Sequence, residues 1–253
     1  MSSNPYIDPF YNAMISQYPT AGFDFLSTEN RGTGIITAFL NTNDQIVIKG
    51  TAYDIFEESI YDIEAWINFA LKQGYEEIWL EGHSYGCNKI VYSILQKQFP
   101  RIKGLILISP SLTYENVLLK EWEEDHKTAE QEALQLLKEG KANKLLKHRL
   151  WGEEILSAQT FVSYFSPSSP ANIFKYVSNK DWHYVNKIYL PTLAITGTND
   201  DGIWVDQYKA MEMLERELIK APKKKTAVFK NADHSFEGFG DKIVEEVLKF
   251  IKG

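Results

Sequence analysis

The pentapeptide Gly-His-Ser-Tyr-Gly at positions 82–86 is the feature that most constrains the fold of this chain. A short apolar run at 77–80 precedes it, and apolar residues at helical spacing follow it through Phe99. In a sharp turn between strand and helix, the central residue takes a strained backbone conformation and the flanking glycines leave room for neighbouring backbone. The pattern therefore predicts an elbow that holds the Ser84 hydroxyl up and exposed.

The pattern G-x-S-x-G also occurs by chance. The alternative to a catalytic elbow is a loop in which the two glycines only allow the chain to turn. The strand-like run before it and the helix-like run after it favour the catalytic interpretation, because the elbow requires a strand-turn-helix setting. Ser84 is the predicted nucleophile.

A serine hydroxyl is a poor nucleophile at neutral pH, so Ser84 needs a histidine base and a carboxylate that orients the base. The β-rich run at 192–196 leads into Asp200, and the run at 226–229 leads into His234. The order Ser, acid, His along the chain predicts a triad of Ser84, Asp200 and His234. Asp201 is the alternative candidate for the acid. In a purely structural interpretation, both aspartates only cap a helix that begins near residue 205.

Four other histidines compete with His234 for the role of base. His83 adjoins the nucleophile and is expected to support the elbow. His126 and His148 lie in charged helical stretches and are expected to face solvent. His183 lies in an aromatic-rich segment, where both a pocket and a packing role stay open. None of the four follows a predicted strand as His234 does.

The whole chain alternates short β-rich runs with helical periodicity, which predicts an α/β fold with a mostly parallel sheet flanked by helices. Its first part contains a predicted helix at 8–18, a strand at 23–27 and a hairpin formed by 35–40 and 45–49. An amphipathic helix is predicted at 55–72.

About 80 residues separate the strands at 105–109 and 192–196, far more than a parallel crossover needs. We predict an α/β core at 1–112 and 186–253 and a helical lid at 113–185. The lid begins with a charged helix at 115–139, whose charges are expected to be solvated. Its later part is rich in aromatic rings, which either line an apolar pocket or form the core of the lid.

Composition narrows the classes of partner. The formal net charge is −7, which disfavours nucleic acid and anionic membranes, because both bind basic surfaces. The apolar runs are too short to span a bilayer, and no signal peptide is evident. Cys87 is the single cysteine, so no disulfide or cysteine-pair metal site is expected. We expect a cytoplasmic protein with a small-molecule substrate and without metal or cofactor; the oligomeric state stays open.

Taken together, these motifs resemble the α/β-hydrolase superfamily over nearly the whole chain. The turn at 30–34 is similar to its R-G-x-G turn, and the elbow, Asp200 and His234 match its triad positions. The hairpin and residues 157–164 resemble a group that includes ferrichrome-type siderophore esterases. The resemblance implies serine esterase chemistry on a carboxylic ester or a related acyl bond, through an acyl-enzyme on Ser84.

The resemblance also implies an oxyanion hole, with one donor from the backbone amide of Tyr85. The second donor comes from a loop after the third strand in the superfamily, and we expect the first three strands to be missing from this sequence. Ser2 is then the nearest substitute, with Ser3 beside it. A truncated start is the expectation, and an altered sheet or a segment from elsewhere that fills the gap are the alternatives.

Two other functions stay open at this point. A non-catalytic ligand-binding or interaction protein can retain the same fold, since a fold does not dictate a function. Within enzymes, the same triad can cleave amides, lactones or carbon–carbon bonds. The intact serine, aspartate and histidine favour hydrolysis over simple binding.

Overall fold

A computed structural model describes residues 10–253 and begins with a helix followed by a hairpin. Helix α1 is Tyr11–Thr20, and strands β1 (Thr37–Leu40) and β2 (Ile46–Lys49) pair antiparallel. The side chain of Asn41 accepts two backbone hydrogen bonds within the connecting turn, which closes it. The predicted hairpin is confirmed.

The rest of the chain alternates helices with strands. In chain order these elements are α2 (Ser59–Lys72), β3 (Ile78–His83), α3 (Tyr85–Gln96), β4 (Ile102–Ile108), α4 (Lys120–Lys138), α5 (Ala158–Phe165), β5 (Thr192–Asn199), α6 (Gln207–Glu217), β6 (Lys224–Asp233) and α7 (Gly240–Lys252). Strands β3 to β6 form one sheet in the order β3-β4-β5-β6, and every neighbouring pair is parallel. The predicted α/β architecture with a parallel sheet is therefore confirmed.

The sheet divides the core into two layers, as the alternation of β4 shows. Leu105 and Leu107 belong to a core shared with helices α2, α3 and α6, whereas Ile106 and Ile108 belong to a second core shared with α1 and α7. All four side chains are almost fully buried. A strand buried on both faces is continuously apolar, which explains the Leu-Ile-Leu-Ile run. Within residues 10–253, no helix combines the length and apolar character needed to cross a membrane.

The predicted strand at 23–27 is not formed. Residues 23–27 belong to neither a helix nor a strand. The ring of Phe25 packs against the rings of Tyr11 and Tyr18 on α1. The apolar alternation thus serves packing against a helix, and a strand forms only where another backbone pairs with it.

The segment 113–185 contains α4 and α5 and packs on the α3 side of the sheet. The predicted helix at 115–139 is divided, because Leu119 is extended between a short 3₁₀ turn and α4. Six of its later aromatic residues are buried in the same core as α3 and β4: Phe161, Tyr164, Phe165, Phe174, Tyr176 and Trp182. These rings are mainly core residues. The division into core and lid stays a prediction.

Candidate active site

Ser84 occupies a strained turn between β3 and α3, as the sequence predicts. Its φ is 55° and its ψ is −128°, and its amide donates to the Ile108 carbonyl at 2.9 Å. A Cβ on Gly82 would lie 2.6 Å from the backbone carbon of Gly86, so position 82 requires glycine. A Cβ on Gly86 would meet no atom of the described chain within 4 Å. The expectation that both glycines avoid a clash holds only for Gly82.

Asp200 and His234 meet at the carboxyl end of the sheet. His234 donates from Nδ1 to Oδ1 of Asp200 at 2.7 Å. The other carboxylate oxygen accepts from the Thr196 hydroxyl at 2.8 Å, and Oδ1 also accepts from the amide of Gly202 at 2.8 Å. Because the buried carboxylate receives the Nδ1 proton, Nε2 of neutral His234 is left as an acceptor, which is the tautomer that a general base needs.

The electrostatics of this pair follow from its burial and its hydrogen bond. Burial raises the pKa of Asp200, but the hydrogen bond and charge of His234 outweigh it, so the pKa lies below its ordinary value. Burial lowers the pKa of His234, and the hydrogen bond and charge of Asp200 more than reverse this, so the net shift is upward. The carboxylate therefore stays ionised and stabilises the positive charge that His234 acquires when it takes up a proton.

Asp201 does not take the place of Asp200. It is exposed and forms no described hydrogen bond with His234, although their ligand atoms and those of Asp200 lie within 4.8 Å of one another. Helix α6 is capped by Asp206, whose side chain accepts from the Lys209 amide. The cap interpretation of Asp200 and Asp201 is therefore wrong. The hydrogen bonds of Asp200 are those of a carboxylate that orients a base.

The Ser84 hydroxyl contacts a residue that the sequence analysis missed. Its Oγ lies 3.2 Å from Oγ of Ser111, and Ser111 donates to the Ser109 carbonyl at 3.0 Å. In the described chain, no hydrogen bond joins Ser84 to His234. The position of Ser111 just after β4 could have indicated that it lies near Ser84. Side chains beyond the carboxyl ends of parallel strands meet at one edge of the sheet.

His83 supports the candidate base through its backbone. Its Nε2 donates to the carbonyl oxygen of His234 at 2.7 Å, and the two rings lie 5.0 Å apart between centroids. Burial and the nearby charge of His234 lower the pKa of His83 to about 4. His83 is therefore neutral at physiological pH and holds the loop of His234 against β3, whereas the sequence led us to expect that it supports the elbow.

The other histidines lie in segment 113–185. His126 is buried and donates to the Phe165 carbonyl at 2.7 Å, so the expectation that it faces solvent is wrong. His148 is half-buried and bonds Asp125 at 2.7 Å. His183 is exposed beside Asp181 and Tyr184. His126 and His148 thus link parts of that segment to one another.

Of the two predicted oxyanion donors, the structure describes Tyr85 but not Ser2. Tyr85 is the first residue of α3, so its amide has no acceptor within the helix and lies directly after Ser84. An unpaired amide at a helix N-terminus is suited to a developing negative charge. Ser2 lies outside the described residues.

A large cavity of about 1760 Å³ adjoins the candidate site. Ser84 and His234 lie in its wall, and it extends along β3 towards Gly74. Gly86 also faces it, which agrees with the open space beside that glycine. Ser84 and His234 are thus accessible from this space, whereas Asp200 is buried behind His234.

Comparison with solved structures identifies the fold of the chain. Est1E from Butyrivibrio proteoclasticus, solved with ferulic acid bound, is 16% identical with a TM-score of 0.63, covering 100% of this chain and 86% of that one. An esterase from Pyrococcus furiosus is 17% identical with a TM-score of 0.59, covering 99% and 77%. A bromoperoxidase from Bacillus anthracis is 17% identical with a TM-score of 0.56, covering 97% and 88%. The fold is that of the α/β-hydrolases.

Within this class the family can be stated. Residues 55–252 match the family described as "Protein of unknown function (DUF1749)", and the chain belongs to it. No curated protein matches the sequence. The family description assigns no chemistry, so the function rests on the site.

Proposed function

We propose that this protein is a serine hydrolase that cleaves carboxylic esters of small molecules through an acyl-enzyme on Ser84. One observation carries the proposal: a buried, fully hydrogen-bonded Asp200 orients His234 at the same sheet edge as the strained Ser84 turn. Backbone strain at a half-buried serine and a shifted His–Asp pair occur together where a nucleophile is activated.

The reaction would run in two steps. In the first, Nε2 of His234 takes the Ser84 proton while Oγ bonds the ester carbonyl carbon; the histidine then protonates the leaving alcohol as the carbon–oxygen bond breaks. In the second, His234 takes a proton from water, hydroxide attacks the acyl carbon, and Ser84 recovers its proton as the acid leaves. Asp200 stabilises the imidazolium in both steps.

The Tyr85 amide would supply one hydrogen bond to the oxyanion at each tetrahedral stage. Loss of one oxyanion donor typically costs about 10²- to 10³-fold in turnover, so a second donor matters for the rate. Ser2 keeps that role only as a proposal from the sequence.

Esters are the proposed substrates because the solved structures of this fold include an esterase from Pyrococcus furiosus and Est1E with ferulic acid bound. The resemblance to ferrichrome-type siderophore esterases adds a bulky ester to the candidates. We propose residues 113–185 as the lid that selects among them, since the ring of Tyr164 on α5 packs 6.1 Å, between centroids, from that of Tyr85, the residue after Ser84.

Intact-mass labelling with a fluorophosphonate tests the proposal without knowledge of the substrate. We expect one adduct per chain, lost in Ser84→Ala and slowed strongly in His234→Ala. Ser93→Ala is the matched control, because Ser93 is a serine of α3 that is fully buried and away from the Ser84 turn. A folded chain that acquires no adduct would contradict the proposal and favour a non-catalytic binding protein. A labelled chain would then be assayed on esters, lactones and amides of graded acyl length.

A further inference from the structure

Gly202 lies in the turn that follows β5, just beyond the candidate acid. Its amide donates to Oδ1 of Asp200 at 2.8 Å, and the same oxygen accepts from Nδ1 of His234 at 2.7 Å. Its carbonyl accepts from the amide of Leu112 at 3.4 Å. Gly202 therefore joins the loop of the acid to the loop that carries Ser111, and it lies beside the imidazole because both donors share one oxygen.

The position of Gly202 has no space for a side chain. A Cβ on Gly202 would lie 2.5 Å from Cε1 and 2.6 Å from Nδ1 of His234. It would also lie 2.9 Å from Oγ of Ser111. Carbon atoms pack best at about 3.5–4.0 Å from one another, so a methyl group at this position would overlap both side chains. The bare Cα of Gly202 is therefore part of the surface on which the imidazole rests.

A nearby glycine of the sheet has different surroundings. A Cβ on Gly197 would lie 2.1 Å from the carbonyl oxygen of Ala232, so glycine is required there by the close approach of β5 and β6. At Gly202 the three nearest atoms all belong to the side chains of His234 and Ser111. The fold thus requires glycine at position 197, whereas the candidate site requires it at position 202.

The backbone conformation of Gly202 does not itself require glycine. Its φ lies outside the left-handed region, in contrast to that of Gly22 or Gly238. Residues with a side chain adopt such a backbone without strain. The obstacle to a side chain at this position therefore lies in the imidazole of His234 and the hydroxyl of Ser111.

We propose that Gly202 is a positioning residue for the reaction: its bare Cα allows the imidazole of His234 to reach Asp200, and any side chain at position 202 displaces the ring. The inference rests on the proposed function, because it concerns how the base of that reaction is placed. Misplacement of a reacting group by about 1 Å can cost about 10²-fold in rate. A displaced ring also loses the Nδ1–H tautomer that Asp200 enforces.

Nitrogen-15 NMR of the histidine side chains in the full chain tests the inference without depending on Ser84. The signals of His234 are assigned by their loss in His234→Ala. At a pH where the ring is neutral, we expect the Nδ1–H tautomer in the parent and a mixture of both tautomers in Gly202→Ala, because the displaced ring no longer donates to Asp200. An unchanged tautomer in a folded Gly202→Ala chain would overturn the inference.

Gly240→Ala is the matched control for a steric overlap elsewhere. A Cβ on Gly240, at the start of α7, would lie 2.8 Å from Cβ of Ala13. The variant introduces a comparable overlap away from His234, so the tautomer should be that of the parent. An equal change of tautomer in both variants would mean that general loosening of the fold, and not contact with the ring, causes it, and this would also overturn the inference.

Fluorophosphonate labelling gives a second readout. Gly202→Ala should label about 10²-fold more slowly than the parent. Burial lowers the pKa of His234 and Asp200 raises it to a net upward shift, so a displaced ring returns towards its ordinary pKa and the pH midpoint should move down. Asp201 and His83 also face His234 and are the same in both chains. An unchanged rate and midpoint would contradict the inference. If the parent itself does not label, the proposed function fails, while the NMR comparison still tests Gly202.

A double variant covers the case in which Gly202→Ala does not fold. Combining it with His234→Ala removes the ring that the new methyl group overlaps, so alanine at position 202 should lower the melting temperature much less in this background than in the parent. Thermal unfolding of the parent, the two single variants and the double variant measures the difference. An equal loss with and without His234 would overturn the inference, because the imidazole would then not be the obstacle.

Discussion

The hydroxyls of Ser84 and Ser111 lie 3.2 Å apart, oxygen to oxygen. Ser111 gives its own proton to the Ser109 carbonyl, so towards Ser84 it acts as an acceptor. Ser111 is buried, and its carbonyl accepts from Asn88 of α3, which fixes the loop. In this arrangement Ser111 competes with His234 for the Ser84 proton.

Replacing Ser111 with alanine should speed the first step. Without this acceptor the Ser84 proton is free to turn to His234, and a neutral hydrogen bond of about 0.5–1.5 kcal/mol corresponds to roughly two- to tenfold in rate. The measurement is the second-order rate constant of fluorophosphonate labelling. Ser93→Ala, which removes a buried hydroxyl from α3 instead, should leave the rate unchanged. A slower Ser111→Ala enzyme would mean that Ser111 positions Ser84 productively.

Asp200→Asn and Asp201→Asn form a matched pair. The first should reduce labelling by about 10³- to 10⁴-fold, because an amide at this position no longer enforces the Nδ1–H tautomer of His234. The second removes an exposed carboxylate that forms no described hydrogen bond with the histidine, and its rate should stay within about threefold of the parent. Equal losses in both variants would contradict the assignment of Asp200 as the acid.

The pH profile of labelling should report on His234. The base must be neutral to accept a proton, and Asp200 raises its pKa against the effect of burial, so the rate should rise with pH around a midpoint above 6.5. Asp201 also raises the pKa of His234 through its charge, so Asp201→Asn should move the midpoint to lower pH. A profile that is flat between pH 5 and 9 would exclude a titrating histidine base.

Gly82→Ala and Gly86→Ala should differ in stability. A Cβ at position 82 would collide with the backbone at position 86 and cost about 1–3 kcal/mol, as overpacking typically does. The melting temperature should fall by about 2–4 °C for each kcal/mol lost. Gly86→Ala should melt close to the parent, because its Cβ meets nothing within 4 Å of the described chain. Thermal unfolding followed by circular dichroism separates the two.

Several elements could be predicted because their signals are local. The hairpin, the helix before β3, the elbow and the four parallel strands each follow from periodicity and turn residues within one short segment. The positions of Asp200 and His234 followed in the same way, as residues just past the carboxyl ends of predicted strands. The hydrogen bond between them required only that those strands be neighbours.

Other features depended on distant partners and were missed. Residues 23–27 have a strand-like pattern, but a strand needs a neighbouring backbone, and their rings pack on α1 instead. His126 lies among charges in the sequence, yet it is buried because the Phe165 carbonyl accepts its proton. The acceptor of His126 lies 39 residues away, and whether residues 23–27 find a pairing strand depends on the assembled sheet, so no local pattern could reveal either outcome.

The sequence by itself determined the order of helices and strands, the strained turn at Ser84 and the chain order of the candidate triad, because periodicity and glycine placement act over a few residues. Only the tertiary structure decided that Ser111 receives the Ser84 hydroxyl and that His83 holds the His234 loop. Those relationships arise from packing between segments far apart in the chain, and hydrogen-bond partners at that distance are set by the fold as a whole.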